Sequence, residues 1–118
     1  MNIAGVVILY HPDIKQLSAN INTYASGLKQ LYIYDNTETQ TPGIEAALHG
    51  LHPNIKYHFF NSNEGIAKRL NQAVALATQN QYDYLLTMDQ DSSFKPGDFE
   101  KYKSLIQKGD FTNVAQFG

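Results

Sequence analysis

Tyr84-Leu85-Leu86-Thr87-Met88-Asp89-Gln90-Asp91-Ser92-Ser93 decides how this chain is read. An apolar run of strand character ends abruptly in two carboxylates one residue apart. In an extended segment, residues i and i+2 point to the same side. They lie about 6.6 Å apart at ~3.3 Å per residue, so Asp89 and Asp91 are expected to converge on one polar ligand. Two hard oxygen ligands at the mouth of a sheet suit a divalent cation that already carries phosphate oxygens. Ordinary turn chemistry after a strand accounts for the same pair. A calcium loop of the EF-hand type would use Asp89, Asp91, Ser93 and Glu100. That loop needs glycine where Phe94 stands, Pro96 follows, and the flanking run is strand rather than helix, so the match is accidental.

Working outward, Asn61-Ser62-Asn63-Glu64-Gly65 is a polar turn into a helix whose inward face is expected to be Ile66, Leu70, Ala73, Val74 and Ala77. Ile55 to Phe60 precedes it as a strand. On the other side Pro96-Gly97 breaks the chain. Asp98 then opens a helix with Phe99, Tyr102, Leu105 and Ile106 on one face. Val114-Ala115, within Thr112 to Phe117, begins a further strand. Toward the amino terminus, Ile3 to Tyr10 is a near-continuous β-branched run, as in a strand buried on both faces of a parallel sheet. His11-Pro12-Asp13 ends it, with Asp13 placed to cap a helix carrying Ile14, Leu17, Ile21 and Tyr24, stopped at Gly27. Leu31 to Tyr34 is the second strand. Thr41-Pro42 has the form of a cap followed by proline at the first helical position, and Gly50 closes that short helix.

Strand and helix alternate four times, which predicts an α/β three-layer sandwich with a largely parallel sheet. Such sheets bind ligands at the carboxyl ends of their strands. Three polar groups fall there: Tyr10-His11, Asp35-Asn36 and Asp89-Asp91. Tyr10 is placed to stack on a base or to pack the rim, and Asp35-Asn36 to hold a base or ribose or to form an Asx-turn. Asn63 and Gly65, at a helix start, offer free amides to an anion or form a plain turn.

Composition narrows the field. The 118 residues fit one domain. Charge of −2 and scattered basic residues argue against a nucleic-acid partner. Lys101, Lys103 and Lys108 alternate with Glu100 and Asp110 as a solvated helix face. With no cysteine there are no disulfides or thiolate metal sites. His11, His49, His52 and His58 show no paired metal spacing, and no Gly-x-Gly-x-x-Gly follows the first strand. The apolar amino terminus lacks a basic leader and is far shorter than the ~20 residues of a membrane span. The expected setting is cytoplasmic, with a peripheral place at the inner membrane face open to a longer parent.

Taken together, these motifs resemble the nucleotide-binding half of a family 2 glycosyltransferase, of GT-A type. The likeness runs along the whole chain, residues 1–118. Val6 to Asp13 resembles that family's opening strand and nucleoside-binding loop, and Ile33-Tyr34-Asp35-Asn36-Thr37 its second-strand motif. Asn63-Glu64-Gly65-Ile66-Ala67 through Leu70-Asn71 resembles its Asn-x-Gly helix start. Leu86 to Ser92 resembles its metal-binding Asp-x-Asp, in a form most similar to the bacterial rhamnosyltransferase branch. The resemblance implies inverting transfer of a sugar from a nucleoside diphosphate, dTDP-rhamnose or a UDP-sugar, to a saccharide acceptor. Tyr10, His11, Asp35, Asn63, Gly65 and Asp89 would bind the nucleotide, and Asp91 with Asp89 would hold Mg²⁺ or Mn²⁺.

Two departures stand out. Leu70 occupies the position where many members carry arginine; Arg69 is one residue off, about 100° around the helix, so that role is not transferred to it. The resemblance also implies an acceptor-binding half that these residues do not cover, so the chain is expected to be a truncated GT-A domain. Its general base is expected beyond Gly118 and its turnover is expected to be poor. The face left by the missing half should be apolar and favour a homo-oligomer. Rival readings are a non-catalytic nucleotide- or metal-binding module, a nucleotidyltransferase, or an inert α/β interaction domain.

Overall fold

The computed structural model describes residues 2–108 and 114–117. Five strands, β1 (Ile3–Leu9), β2 (Gln30–Asp35), β3 (Ile55–Phe59), β4 (Tyr84–Met88) and β5 (Val114–Phe117), form one sheet. Every pairing in it is parallel. The order is β3-β2-β1-β4-β5. The chain therefore starts in the middle of the sheet, runs outward through β2 to β3, and returns across β1 to β4. The strand order reverses between β1 and β4, the position at which open α/β sheets hold their ligands.

Alternation along each strand sends side chains to two cores. Ile3, Val7, Leu9, Leu31, Ile33 and Leu86 face one layer, containing helices α1 (Ile14–Asn22), α2 (Ile44–His49) and α4 (Asp98–Lys108). Ala4, Val6, Tyr32, Tyr34 and Leu85 face the other, beneath Ala73 and Ala77 of α3 (Ile66–Gln79). Both faces of the central strand are buried, which is why β1 is apolar at nearly every position.

The elements fall where the pattern puts them, with three local corrections. Asp13 caps α1, its Oδ1 accepting from the Gln16 amide at 2.9 Å. That helix ends at Asn22, and Ala25–Gly27 forms a separate 3₁₀ turn, so Tyr24 reaches the core from beyond the helix. Helix α2 begins at Ile44 with Gly43 as its cap at φ 81°. Thr41 and Pro42 belong instead to the preceding turn, where the Thr41 carbonyl accepts from Ile44 N at 3.2 Å. A left-handed residue was required there, and glycine supplies it.

On α3 the buried stripe is Arg69, Ala73 and Ala77, while Ile66 is 62 % and Val74 38 % exposed. An arginine leads the i, i+4, i+8 row, turning the helix away from the face its aliphatic residues predicted. The strand at β4 stops at Met88, before the paired carboxylates. Phe99 of α4 is buried and Tyr102 packs against the same core. The side chains expected on the faces of that helix at Leu105, Ile106 and Lys108, with Asp110 and Thr112, lie outside the described residues.

Candidate functional site

At the end of β1, His11 adopts a left-handed conformation, φ 49°. Its amide donates to Thr37 Oγ1 at 2.9 Å, which ties the β1 loop to the end of β2. Tyr10 stands on the surface at 46 % exposure, edge-on to the His11 ring at 4.3 Å. Its hydroxyl donates to Glu38 Oε1 at 2.9 Å, and that bond, then the charge of Glu38, raises the phenol's pKa.

At the end of β2, Asp35, Asn36 and Thr37 are all buried. Asp35 Oδ1 accepts from Thr37 N at 3.0 Å and Thr37 Oγ1 at 2.6 Å, and Oδ2 accepts from the Tyr57 hydroxyl at 2.7 Å. With 0 % exposure, this carboxylate is enclosed by its own fold. Burial first, and the Asp35 bond second, hold the Tyr57 phenol neutral well above the usual tyrosine range.

Asn36 turns the other way and accepts at Oδ1 from Arg69 Nε, donating through Nδ2 to the Gly65 carbonyl at 3.2 Å. Arg69 is 1 % exposed. Its guanidinium lies 3.4 Å from the Phe60 ring centre, donates to Gln72 at 3.2 Å and Ser62 at 3.5 Å, and is 3.4 Å from Glu64. Glu64 is shared with Lys68 at 2.5 Å, and the Lys68 bond is the main reason its carboxyl titrates below the ordinary range. Arg69 thus joins β2, the 61–65 turn and α3. The sequence signal for it was its place in the 69/73/77 row, between small residues. Asn63 Oδ1 accepts from Gly65 N at 3.2 Å, and both residues are exposed at the helix start.

After β4, Asp89 to Ser92 forms a turn closed by Ser92 N donating to Asp89 O at 3.1 Å. The strand alternation that would make Asp89 and Asp91 converge therefore ends one residue too soon. Both carboxylates are exposed. Asp89 borders a hollow with Val6, Ile8 and Thr87, whereas Asp91 borders a narrow cleft with Asp13 and Gln16 at the start of α1. Between them Gln90 acts as a clamp. Its Oε1 accepts from Tyr10 N at 3.0 Å and its Nε2 donates to Tyr10 O at 3.1 Å. The Gln90 carbonyl in turn accepts from Asn20 Nδ2 at 3.1 Å. This amide continues the β1–β4 pairing past the strand ends, and nothing in the sequence singled it out.

The structure thus brings Tyr10, His11 and Thr37 together with Gln90 along one edge, and places Asp89 and Asp91 on that edge facing different hollows. Among the described residues, no group of three or more His, Cys, Asp or Glu side chains could hold a metal ion by itself. Asp89 and Asp91 stand exposed on one turn, where a hard cation would have to take most of its oxygens from a diphosphate and water. Another hollow, about 750 Å³, lies along the flank of β3 and α3, lined by Tyr32, Tyr34, His58 and Leu76. It carries no carboxylate, and the chemistry of the strand ends outweighs its size. No helix among the described residues is long and apolar enough to cross a membrane.

Comparison with curated proteins and with solved structures found no match. The sequence profile of the family described as Glycosyl transferase family 2 matches residues 12–117. That span takes in the carboxyl ends of β2 and β4, the 61–65 turn and all four helices. With its parallel GT-A type sheet and its polar strand ends on one edge, the chain belongs to glycosyltransferase family 2.

Proposed function

We propose that the chain binds a nucleoside-diphosphate sugar along the carboxyl edge of β1, β2 and β4, and serves its inverting transfer to a saccharide acceptor. The observation that carries this reading is the gathering of Tyr10-His11, Asn63-Gly65 and Asp89-Asp91 at that edge in a chain of this family. Tyr10, half-exposed beside His11, offers a ring and a backbone corner to the nucleoside. The free amides at the start of α3, near Asn63 and Gly65, offer positive dipole ends to phosphate. Asp91, with Asp89, would hold Mg²⁺ or Mn²⁺. When bound, that ion neutralises the charge that develops on the departing diphosphate. Asp35 acts from beneath, holding Thr37 and hence the His11 amide in place. The donor sugar that the resemblance to the rhamnosyltransferase branch suggests is rhamnose, carried on dTDP, with a UDP-sugar as the other candidate.

The test is calorimetric titration of UDP and dTDP with and without Mn²⁺, repeated on Asp91→Asn. Mn²⁺ should tighten binding at least about tenfold, or ~1.4 kcal/mol, and the variant should lose that gain. Binding that ignores both the metal and the substitution would overturn the assignment.

A further inference from the structure

The sheet ends at β3. At the two ends of its pairing with β2, the Leu31 amide donates to the Asn54 carbonyl at 3.0 Å and the Phe60 amide to the Asp35 carbonyl at 3.1 Å. A strand residue sends its amide and carbonyl to the same side, and successive residues alternate. The even-numbered residues of β3 therefore bond to β2, while Tyr57 and Phe59 turn their amides and carbonyls to the open edge. Natural sheets blunt such an edge with proline, a bulge or charge. In β3 there is no proline, the register runs unbroken, and Lys56 is the only residue of fixed charge. The same strand walls a trough. Helix α3 packs chiefly on β1 and β4, which leaves the α3 side of β3 open. The hollow of about 750 Å³ lies there, floored by Tyr32 and Tyr34, with Leu76 of α3 36 % exposed on the far wall. Ile55 and Tyr57 line it too, although their side chains pack toward the opposite core, so the hollow reaches the open edge of the strand.

We infer that this trough docks an extended, acidic peptide segment of a partner protein, added to the sheet as a sixth strand beside β3. Main-chain bonds to Tyr57 and Phe59 supply affinity, and the side chains on one face of the added strand enter the trough. Charge decides the kind of segment. Lys56, His49 and His58 line the hollow, and no carboxylate does. Lys56 and His58 are exposed and share the α3 face of the strand, where an added strand would set its own side chains opposite them. Carboxylates there meet the lysine, and an apolar side chain between them meets Leu76. A second copy of this chain fits worse. Two β3 edges paired antiparallel about Tyr57 would set Lys56 of each copy opposite His58 of the other, with no acidic group in the trough to offset them. The site lies on the flank of the sheet, away from the strand ends, and stands independently of the donor reading.

The experiment is fluorescence anisotropy of a labelled hexapeptide, two leucines flanked on each side by two glutamates, titrated with the full chain. Either face of that peptide, when extended, presents one leucine between two glutamates. Replacing its glutamates by lysines should weaken binding about tenfold or more. Methylating the amides of alternate residues, in each of the two phases, should abolish binding in at least one phase, because one set of amides faces β3. In the protein, Lys56→Glu and Leu76→Glu should each weaken binding about tenfold and leave Tm level, since both side chains are exposed. The peptide arms need no variant and decide the matter even if one unfolds. Several results would overturn the inference: a Kd weaker than about 1 mM, equal binding of the lysine peptide, or tolerance of methylation in both phases. Displacement of the peptide by UDP with Mn²⁺ would move it to the strand ends and overturn it as well. A dimer on size exclusion that Leu76→Glu disperses would give the edge to a second copy instead.

Discussion

Arg69 is where residue chemistry departs most from what its position in the chain suggests. A charge taken out of water is retained only when its donors are matched, and here four elements match them: Asn36, Ser62, Gln72 and the face of Phe60. Removing the side chain leaves the Asn36 and Gln72 carbonyls unpaired and a void under Phe60. Arg69→Ala should therefore lower unfolding free energy by about 2–4 kcal/mol, measured from urea midpoints. Arg69→Lys should recover little, because a point charge cannot reproduce the planar fork. A near-neutral result for Arg69→Ala would mean the cluster is ornament on a fold held elsewhere. The residue was visible in the sequence, one step off the family pattern. Its direction was not, because the helix phase is chosen by which row fits against the sheet, and small Ala73 and Ala77 fit closest.

At the scale of elements, the site is made by how strands and helices end. Gly65 leads into α3 with φ 91° and ψ 158°, a region essentially reserved for glycine. Nothing crowds a side chain there, so the cost of Gly65→Ala is purely backbone strain, about 1–3 kcal/mol. Gly50, at φ −80°, is the control, and Gly50→Ala should stabilise by about 0.4–1 kcal/mol. Equal shifts in thermal midpoint for the two variants would contradict this. Gly65→Ala should also loosen nucleotide binding, since its carbonyl holds Asn36. The existence of α3 and β4 was plain from periodicity and length. So was the end of β4 at Met88, but not the course of Asp89 to Asp91, which leaves the extended alternation in a turn where the Gln90 amide meets Tyr10.

Across the whole molecule, tyrosines are used as core. Tyr24, Tyr34 and Tyr57 all have pKa values raised, chiefly by burial. Folded phenols that stay neutral bind more protons than unfolded ones once the pH passes the ordinary value of 10.0. Their contribution to stability is thus complete below that pH and is lost as pH rises through the elevated folded values. Urea midpoints should be flat between about pH 8 and pH 10 and fall beyond. Tyr24→Phe should reduce the slope of that fall; an unchanged slope would show that Tyr24 is not part of it.

The sequence by itself determined the class of the molecule and the edge on which its polar residues gather. Strand and helix periods are local properties, and parallel strands joined by helices bring all their carboxyl ends to one side. Only the tertiary structure decided which of those residues face outward. It enclosed Asp35 beneath Thr37 and Tyr57, buried Arg69, and parted Asp89 from Asp91 across a turn. It also left Thr87 unpartnered where the strand order reverses. These outcomes depend on partners 20 to 80 residues away in the chain, such as Tyr57 for Asp35 and Gln90 for Tyr10. No local pattern encodes which side chain will satisfy a buried polar atom, because that is settled only when the layers close.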